Sequence, residues 1–379
     1  MPPRTAPKFK ADFNRFLDED VPVPAPPGDA LSFHQGLPGY QPTPLYSLPG
    51  LAEEFGLGQI LLKDESQRFG LKAFKALGAS YAIHRWMKAN GDPKDVTFCT
   101  ATDGNHGRAV AWTAKALGRK AVVFVPRNTV PARRKAIEGE GAKVVVVDGT
   151  YDETVRRAAA EAAKNGWQVI SDTAYPGYME IPGWIMAGYT TLFAEVDRQL
   201  KEQRLPEPDV VFLQAGVGGL ACAGVMHYRR EGLSRRPGLI VVEPVAADCL
   251  RASIATETGE PVKDHGPQDS IMAGLNCGTP SLLSWPLIKA HCQYFLAVDD
   301  IFAEEAMRAL AAPERGDPKV VSGESGAAGL AGLFALCRKP ELEVDREELG
   351  LGEASTVLVV STEGDTDPVN YSRIVGEKE

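Results

Sequence analysis

The chain alternates short, continuously apolar runs with longer amphipathic stretches, and that alternation leaves few folds open to it. The runs are Gln59–Leu62, Val96–Thr100, Ala121–Val125, Lys143–Val147, Gln168–Ser171, Asp209–Leu213, Gly238–Val242, Tyr294–Val298 and Thr356–Val360. Strands of this kind are buried on both faces, as in parallel sheets covered by helices. Helical patterns separate them, among them Ala73–Ala89, Gly107–Leu117, Val130–Glu138, Tyr151–Asn165, Gly219–Arg230 and Ile301–Ala311. The expected class is α/β, with mostly parallel sheets in two three-layer α/β/α domains. Residues 92–190 hold a compact set of βα units and predict a small domain. Residues 1–91 and 191–379 predict a large domain that the chain enters twice.

Charge narrows the function classes. The 379 residues carry 41 Lys and Arg against 50 Asp and Glu, a net charge of −9. No basic surplus exists to neutralise phosphates, so neither nucleic-acid nor anionic-membrane binding is expected. The longest apolar stretch, Gly326–Cys337, is broken by glycines and falls short of the roughly 20 residues a membrane span requires. Residues 1–30 are Pro-rich with scattered charges and no apolar segment, so no secretory leader is expected. The six cysteines (Cys99, Cys222, Cys249, Cys277, Cys292 and Cys337) form no CxxC pair, which removes zinc-ribbon and thioredoxin readings. Thiols in a reducing cytoplasm are expected, with a Cys249–Cys277 bridge left open.

Familiar catalytic motifs are missing. There is no HExxH helix and no GxxxxGK[ST] loop. Gly323-Glu324-Ser325-Gly326-Ala327 lacks the final glycine of a hydrolase elbow. Four other features carry chemistry. The first is Gln214-Ala215-Gly216-Val217-Gly218-Gly219-Leu220-Ala221, between the run Asp209–Leu213 and a helix. Glycines there let backbone N–H groups and a helix N-terminus approach an anion. The loop reads as GxGxxA with Glu243 as a ribose-binding acid, as a cup for one phosphate, or as close helix–sheet packing with no ligand.

The second feature is Lys75 in Ala73-Phe74-Lys75-Ala76-Leu77-Gly78. It is either a solvated first-turn lysine or a buried amine with a lowered pKa, suited to covalent catalysis. The third is Ala101-Thr102-Asp103-Gly104-Asn105-His106-Gly107, a strand-to-helix loop. It suits a carboxylate ligand, or it is plain capping by Asp103 or Asn105. The fourth is Val360-Ser361-Thr362-Glu363-Gly364-Asp365-Thr366-Asp367, where polar side chains close the last strand. Glu363 and Asp367, taken singly, read as members of a solvated turn.

In this order the four features resemble the fold type II pyridoxal-phosphate enzymes, the superfamily of tryptophan synthase β and threonine dehydratase. Lys75, Gly104-Asn105-His106-Gly107, Gly216–Leu220 and Thr362 fill the places of its lysine, substrate loop, phosphate loop and ring-nitrogen partner. The strings KDESQRFGLKAFKALGASYAI, ATDGNHGRAVAW, SDTAYPGYMEIPGWIMAGY, IMAGLNCGTPS, VSGESGAAGL and VVSTEGDTDP are similar to the diaminopropionate ammonia-lyase branch. Serine and threonine dehydratases carry Ser where Asp103 stands. A hydroxyl suits a β-hydroxyl substrate, whereas a carboxylate suits a second ammonium.

The resemblance implies pyridoxal 5'-phosphate in the cleft between the domains, and elimination of 2,3-diaminopropionate, of either hand, to pyruvate and ammonia. It assigns Lys75 to hold the cofactor and Asn105 to bond its ring hydroxyl. Gly216, Val217, Gly218, Gly219 and Leu220 would bind its phosphate, and Thr362 its ring nitrogen, with Glu324 nearby. Thr102, Asp103, Gly104 and His106 would hold the substrate, its carboxylate on their backbone N–H groups. Asp103 and Asp172 would be paired acids, one of them raised toward neutral pH by the other. A homodimer acting on a small amino acid is implied as well. A serine or threonine dehydratase is the near rival. A nicotinamide enzyme or nucleotide-binding module using the Gly216 loop and Glu243 is the distant one.

Overall fold

The computed structural model of the protein describes residues 8–26, 29–102, 104–149, 151–233, 235–264 and 266–376. In chain order it runs β1 (Phe9–Phe13), α1 (Ala30–Gln35), β2 (Leu45–Ser47), α2 (Pro49–Phe55), β3 (Gln59–Asp64), α3 (Lys75–Ala89), β4 (Thr97–Ala101) and α4 (Asn105–Ala116). It continues with β5 (Lys120–Pro126), α5 (Pro131–Gly139), β6 (Lys143–Val147), α6 (Tyr151–Asn165), β7 (Gln168–Val169), α7 (Glu180–Gln203), β8 (Val210–Gln214) and α8 (Gly219–Tyr228). Then come β9 (Gly238–Pro244), α9 (Cys249–Ile254), α10 (Trp285–His291), β10 (Tyr294–Val298), α11 (Asp300–Ala311), α12 (Ala328–Arg338) and β11 (Thr356–Ser361).

Among the described residues two sheets form. The larger has seven strands in the order β1-β10-β9-β8-β11-β3-β2, the smaller four in the order β6-β5-β4-β7. All pairings are parallel except those of the edge strands β1 and β2. Each apolar run expected to be a strand is one, and the α/β class expected from the alternation is the class observed. The two edge strands were not foreseen. β1 carries charged residues in Phe-Lys-Ala-Asp-Phe and β2 is three residues long, so neither has the apolar signature of a central strand. Residue 190, where the strand clusters placed a boundary, lies inside the unbroken helix α7.

One apolar core lies on each face of the large sheet. Side chains of α11 and α12 fill one, with Phe302, Met307, Leu333 and Phe334 fully or almost fully buried. The other continues through α3, α7 and α8 to a face of the small sheet, joining the two. Helices α3 and α7 cross at unusually short range. A Cβ at Gly188 would lie 2.5 Å from the Leu77 carbonyl oxygen, and one at Gly78 would lie 2.5 Å from Tyr189. Glycine at both positions lets the backbones meet and brings Tyr189 beside the start of α3. No helix among the described residues is long and apolar enough to cross a membrane.

Between β3 and α3 the chain makes a short turn over Glu65–Gly70, in which Phe69 takes φ 49° and, just beyond, Lys72 takes φ 59°. Non-glycine residues rarely adopt such angles, so something must hold them there. That something is a buried ionic cluster. Lys63 Nζ lies 2.7 Å from Glu195, and Arg68 lies 2.7 Å from both Glu65 and Glu195. All four side chains are at most 1% exposed. Thr43 donates to Glu65, and Lys63 also donates to the Thr43 carbonyl. Removing one member of a buried ion-paired set strands its partners, at a cost of about 3–5 kcal/mol. Arg68→Met is therefore expected to lower unfolding free energy by that amount in urea. A loss below about 1 kcal/mol would show that the cluster does not hold the turn.

Candidate active site

The carboxyl ends of parallel strands from both sheets open onto one cleft, the usual position for a ligand in α/β proteins. β4 leads to Thr102 and Gly104, β8 to Ala215 and Gly216, β11 to Thr362 and Glu363, and all six residues line the cleft. Lys75, Asn105, His106 and Asp172 join them. Most of the residues singled out in the sequence thus converge on one space. Asp103 lies outside the described residues.

Lys75 opens α3, and its side chain crosses the cleft to Asp172, which follows β7. Nζ is 2.7 Å from Asp172 Oδ2, and about a fifth of the lysine side chain remains exposed (22%). Burial alone would lower the lysine pKa, but the Asp172 carboxylate outweighs it and holds the ammonium above its ordinary value. Neither sequence reading of Lys75 anticipated this: the amine is buried, yet charged. Asp172 shows the converse. Burial would raise its pKa, but the Lys75 ammonium holds it well below the usual carboxylate range. With the lysine ammonium facing it, Asp172 is a fixed anion and not the poised acid the sequence suggested.

His106 Nε2 lies 2.8 Å from the Ile170 carbonyl oxygen. A carbonyl only accepts, so Nε2 carries the proton and Nδ1 presents a lone pair. Burial pushes this imidazole below its ordinary pKa, which keeps it neutral. Nδ1 lies 4.0 Å from Asp172 and has no hydrogen-bond partner.

Asn105 does not cap α4 with its side chain. Thr102 Oγ1 accepts from Gly104 N at 3.0 Å and from Gly107 N at 3.2 Å, doing the work of an N-cap for α4. The first-turn amides of Asn105 and His106 have no intrahelical acceptor and are available to an anion. The Asn105 side chain, freed from capping, donates instead to Glu363.

Glu363 is the main correction to the sequence reading. It is 1% exposed and lines the cleft, and no solvated turn exists there. Glu324, expected near the cofactor ring, does not line the cleft. Its carboxylate accepts from Asn370, and burial, with the Glu363 carboxylate nearby, raises its pKa. Asp367 caps the helix over Pro368–Val375 by accepting from Asn370 N. Thr362 lines the cleft, its Oγ1 accepting from Gln214 Nε2 at 3.2 Å and donating to the Ser325 carbonyl at 3.3 Å.

The glycine-rich loop joins β8 to α8. Gly218 takes φ +97°, and a Cβ there would lie 2.6 Å from Ile288 and 2.9 Å from Ser284. It is glycine for its backbone angle and its packing, although it too lines the cleft. At Gly219 a Cβ would meet only Tyr189, at 3.7 Å. Glu243 stands away from the loop. Its carboxylate accepts from Leu250 N at 2.9 Å and Arg251 N at 2.8 Å at the start of α9, and burial raises its pKa to about 8. A ribose-binding acid is therefore missing, and the dinucleotide reading fails. No disulfide joins Cys249 and Cys277, which flank Gly216 from two sides.

Residues missed in the sequence complete the lining: Phe74, Arg133, Tyr189, Cys277 and Ser325. Tyr189 sits in the middle of α7, where its periodicity is that of any core residue. His106 Nδ1, Arg133 Nε and Gln214 Oε1 are buried without partners on residues that line the cleft. Such atoms point to a polar ligand. A ring-bearing phosphate ester with a reactive carbonyl fits the donor set. First-turn amides of α8 would be available to its phosphate, Asn105 and Thr362 to a heteroaromatic ring, and Lys75 as an amine. Among the described residues no group of side chains suited to a metal ion is found.

Comparison with known proteins gives this class its name. Residues 37–362 match the family of pyridoxal-phosphate dependent enzymes, and the chain belongs to it. It is 44% identical over 368 residues to a diaminopropionate ammonia-lyase from Salmonella typhimurium, covering 92% of this chain and 91% of that one. The crystal structure of the Escherichia coli diaminopropionate ammonia lyase with an aminoacrylate-PLP azomethine reaction intermediate superposes with a TM-score of 0.92. It is 40% identical and the match covers 98% of each chain. The same enzyme in complex with D-serine gives a TM-score of 0.91 at 39% identity, covering 98% of this chain and 97% of that one. Within its family the chain belongs to the diaminopropionate ammonia-lyases.

The loop geometry yields a test. Gly219→Val should weaken pyridoxal-phosphate binding at least tenfold by absorbance titration, with unfolding in urea little changed. Gly218→Val should instead destabilise the fold by about 1–3 kcal/mol through overpacking. Unaltered cofactor affinity in Gly219→Val would return the loop to a packing role.

Proposed function

We propose that the protein converts 2,3-diaminopropionate and water to pyruvate and two ammonia. The observation that carries the reading is the Lys75–Asp172 pair, an amine held charged by a buried anion at the mouth of the glycine-rich loop. Pyridoxal phosphate, when bound, supplies an electron-withdrawing ring that stabilises negative charge at the substrate Cα. Its phosphate is held by the amides of Gly216, Val217, Gly218, Gly219 and Leu220. Asn105 and Thr362 would make its ring contacts, and the Lys75 amine would hold it covalently.

The substrate carboxylate lies on the amides of the α4 N-terminus. Lys75, once its amine is released, takes the proton from Cα. While Lys75 carries the cofactor it offers Asp172 no ammonium, and the unmatched carboxylate favours a substrate bearing a second ammonium. Asp172 holds that β-amine protonated, so that it leaves as ammonia, and His106 Nδ1 accepts beside it. A hydroxyl leaving group brings no positive charge to this anion, which separates the reading from a serine dehydratase. Division of the chain into a large part (1–91 and 191–379) and a small part (92–190) is proposed from the clustering of the strands, a cytoplasmic location from the cysteine usage, and a homodimer from the family resemblance.

Two experiments test the assignment. Borohydride reduction of the holoenzyme should leave a pyridoxyl group on the peptide containing Lys75, and Lys75→Ala should lose turnover by several orders of magnitude. A pyridoxyl group on another lysine contradicts the reading. Asp103, placed in the chain between two residues that line the cleft, is proposed as the base for the D-enantiomer. Asp103→Asn should abolish turnover of D-2,3-diaminopropionate, by about 10²–10⁴-fold, while part of the L-activity persists. Equal loss for both enantiomers would confine Asp103 to binding. Asp103→Ser should gain activity on serine relative to diaminopropionate.

A further inference from the structure

Glu363 accepts three hydrogen bonds, and they come from three separate pieces of the chain. Asn105 Nδ2 donates to Oε2. Thr366 Oγ1 donates to the same oxygen at 3.0 Å. Ser325 N, just before α12, donates to Oε1 at 3.2 Å. The backbone of Glu363 bridges Ala73, two residues before Lys75, and its carbonyl accepts from Gly323 N at 2.9 Å. One residue thereby touches the segment of Lys75, the start of α4 and the approach to α12.

The bond to Asn105 crosses the cleft. Asn105 stands at the end of the small sheet, after β4, and Glu363 at the end of the large one, after β11. The Asn105 amide nitrogen is the atom that faces the Glu363 carboxylate and donates to it. That settles which way the amide turns. One N–H goes to Glu363, while the second N–H and Oδ1 are left for whatever enters the cleft. Without such an acceptor the Asn105 side chain could cap its own helix or rotate freely about its terminal bond.

We infer that Glu363 is a positioning residue: it fixes the Asn105 amide toward the cofactor ring and holds the two walls of the cleft in register at that point. The inference rests on the reading of Asn105 as a ring contact. It predicts an effect on the bound cofactor itself, before any substrate is added. A hydrogen bond to a charged acceptor is worth about tenfold or more in a coupled equilibrium.

The test is a double-mutant cycle read by the cofactor's absorbance. Glu363→Gln should bind pyridoxal phosphate about tenfold more weakly and move the visible absorbance band of the bound cofactor. Asn105→Ala should do the same, and the double variant should be no worse than Asn105→Ala alone. Glu363→Asp keeps the charge but withdraws it by one methylene. It should reproduce the band shift, and it serves if the glutamine variant folds poorly. Additive losses in the double variant, or unchanged band and affinity in both Glu363 variants, would overturn the inference. An unchanged band and affinity in Asn105→Ala would overturn the ring-contact reading, and the inference with it.

Discussion

Four charges that have almost no contact with water hold the approach to Lys75 in place. Lys63, Glu65, Arg68 and Glu195 form a closed set of ion pairs between the end of β3, the turn after it and the middle of α7. Burying such groups is costly, and the cost is offset only when every member is matched. The arrangement is therefore sharply defined, and it fixes a turn whose residues take unfavourable backbone angles. From that turn the chain enters α3, and the first residue of α3 is Lys75. Close contact of α3 with α7 through Gly78 and Gly188 makes the placement rigid.

The cleft repeats the principle with fewer partners. Lys75 and Asp172 shift each other's pKa in opposite directions, so both are charged across the neutral range. Asp172 has His106 as its next neighbour, and that imidazole is neutral with its lone pair unpartnered. In the proposed mechanism, attachment of the cofactor to Lys75 would disturb this balance and leave an anion to be matched. A substrate carrying two amines supplies the match. The chemistry of the carbon–nitrogen bond and the electrostatics of the empty-handed carboxylate thus favour the same substrate.

Much of this was legible in the sequence, because central parallel strands and glycine-rich turns are local signals. Nine continuous apolar runs became nine strands, and Lys75, Asn105, Asp172, Thr362 and the Gly216–Leu220 loop converge on one cleft. The remainder depended on distant partners. Glu363 looks like a turn residue until Asn105, Ser325 and Thr366 are seen to surround it. Glu324, two positions from the glycine Gly326, looked equally eligible but turns toward Asn370. Gly218 and Gly219 are adjacent, identical in type and both line the cleft, yet only at Gly218 does packing leave no room for a Cβ. The charge state of Lys75 could not be read without Asp172, which lies 97 residues away in the chain.

The central claim is that this cleft eliminates ammonia from a substrate with two amines. The direct measurement is release of pyruvate and ammonia by the purified holoenzyme from D- and L-2,3-diaminopropionate, with serine and threonine as controls. The account predicts two ammonia per pyruvate from diaminopropionate, and far slower turnover of the hydroxyl amino acids. Faster turnover of serine or threonine, or one ammonia per pyruvate from diaminopropionate, would contradict it.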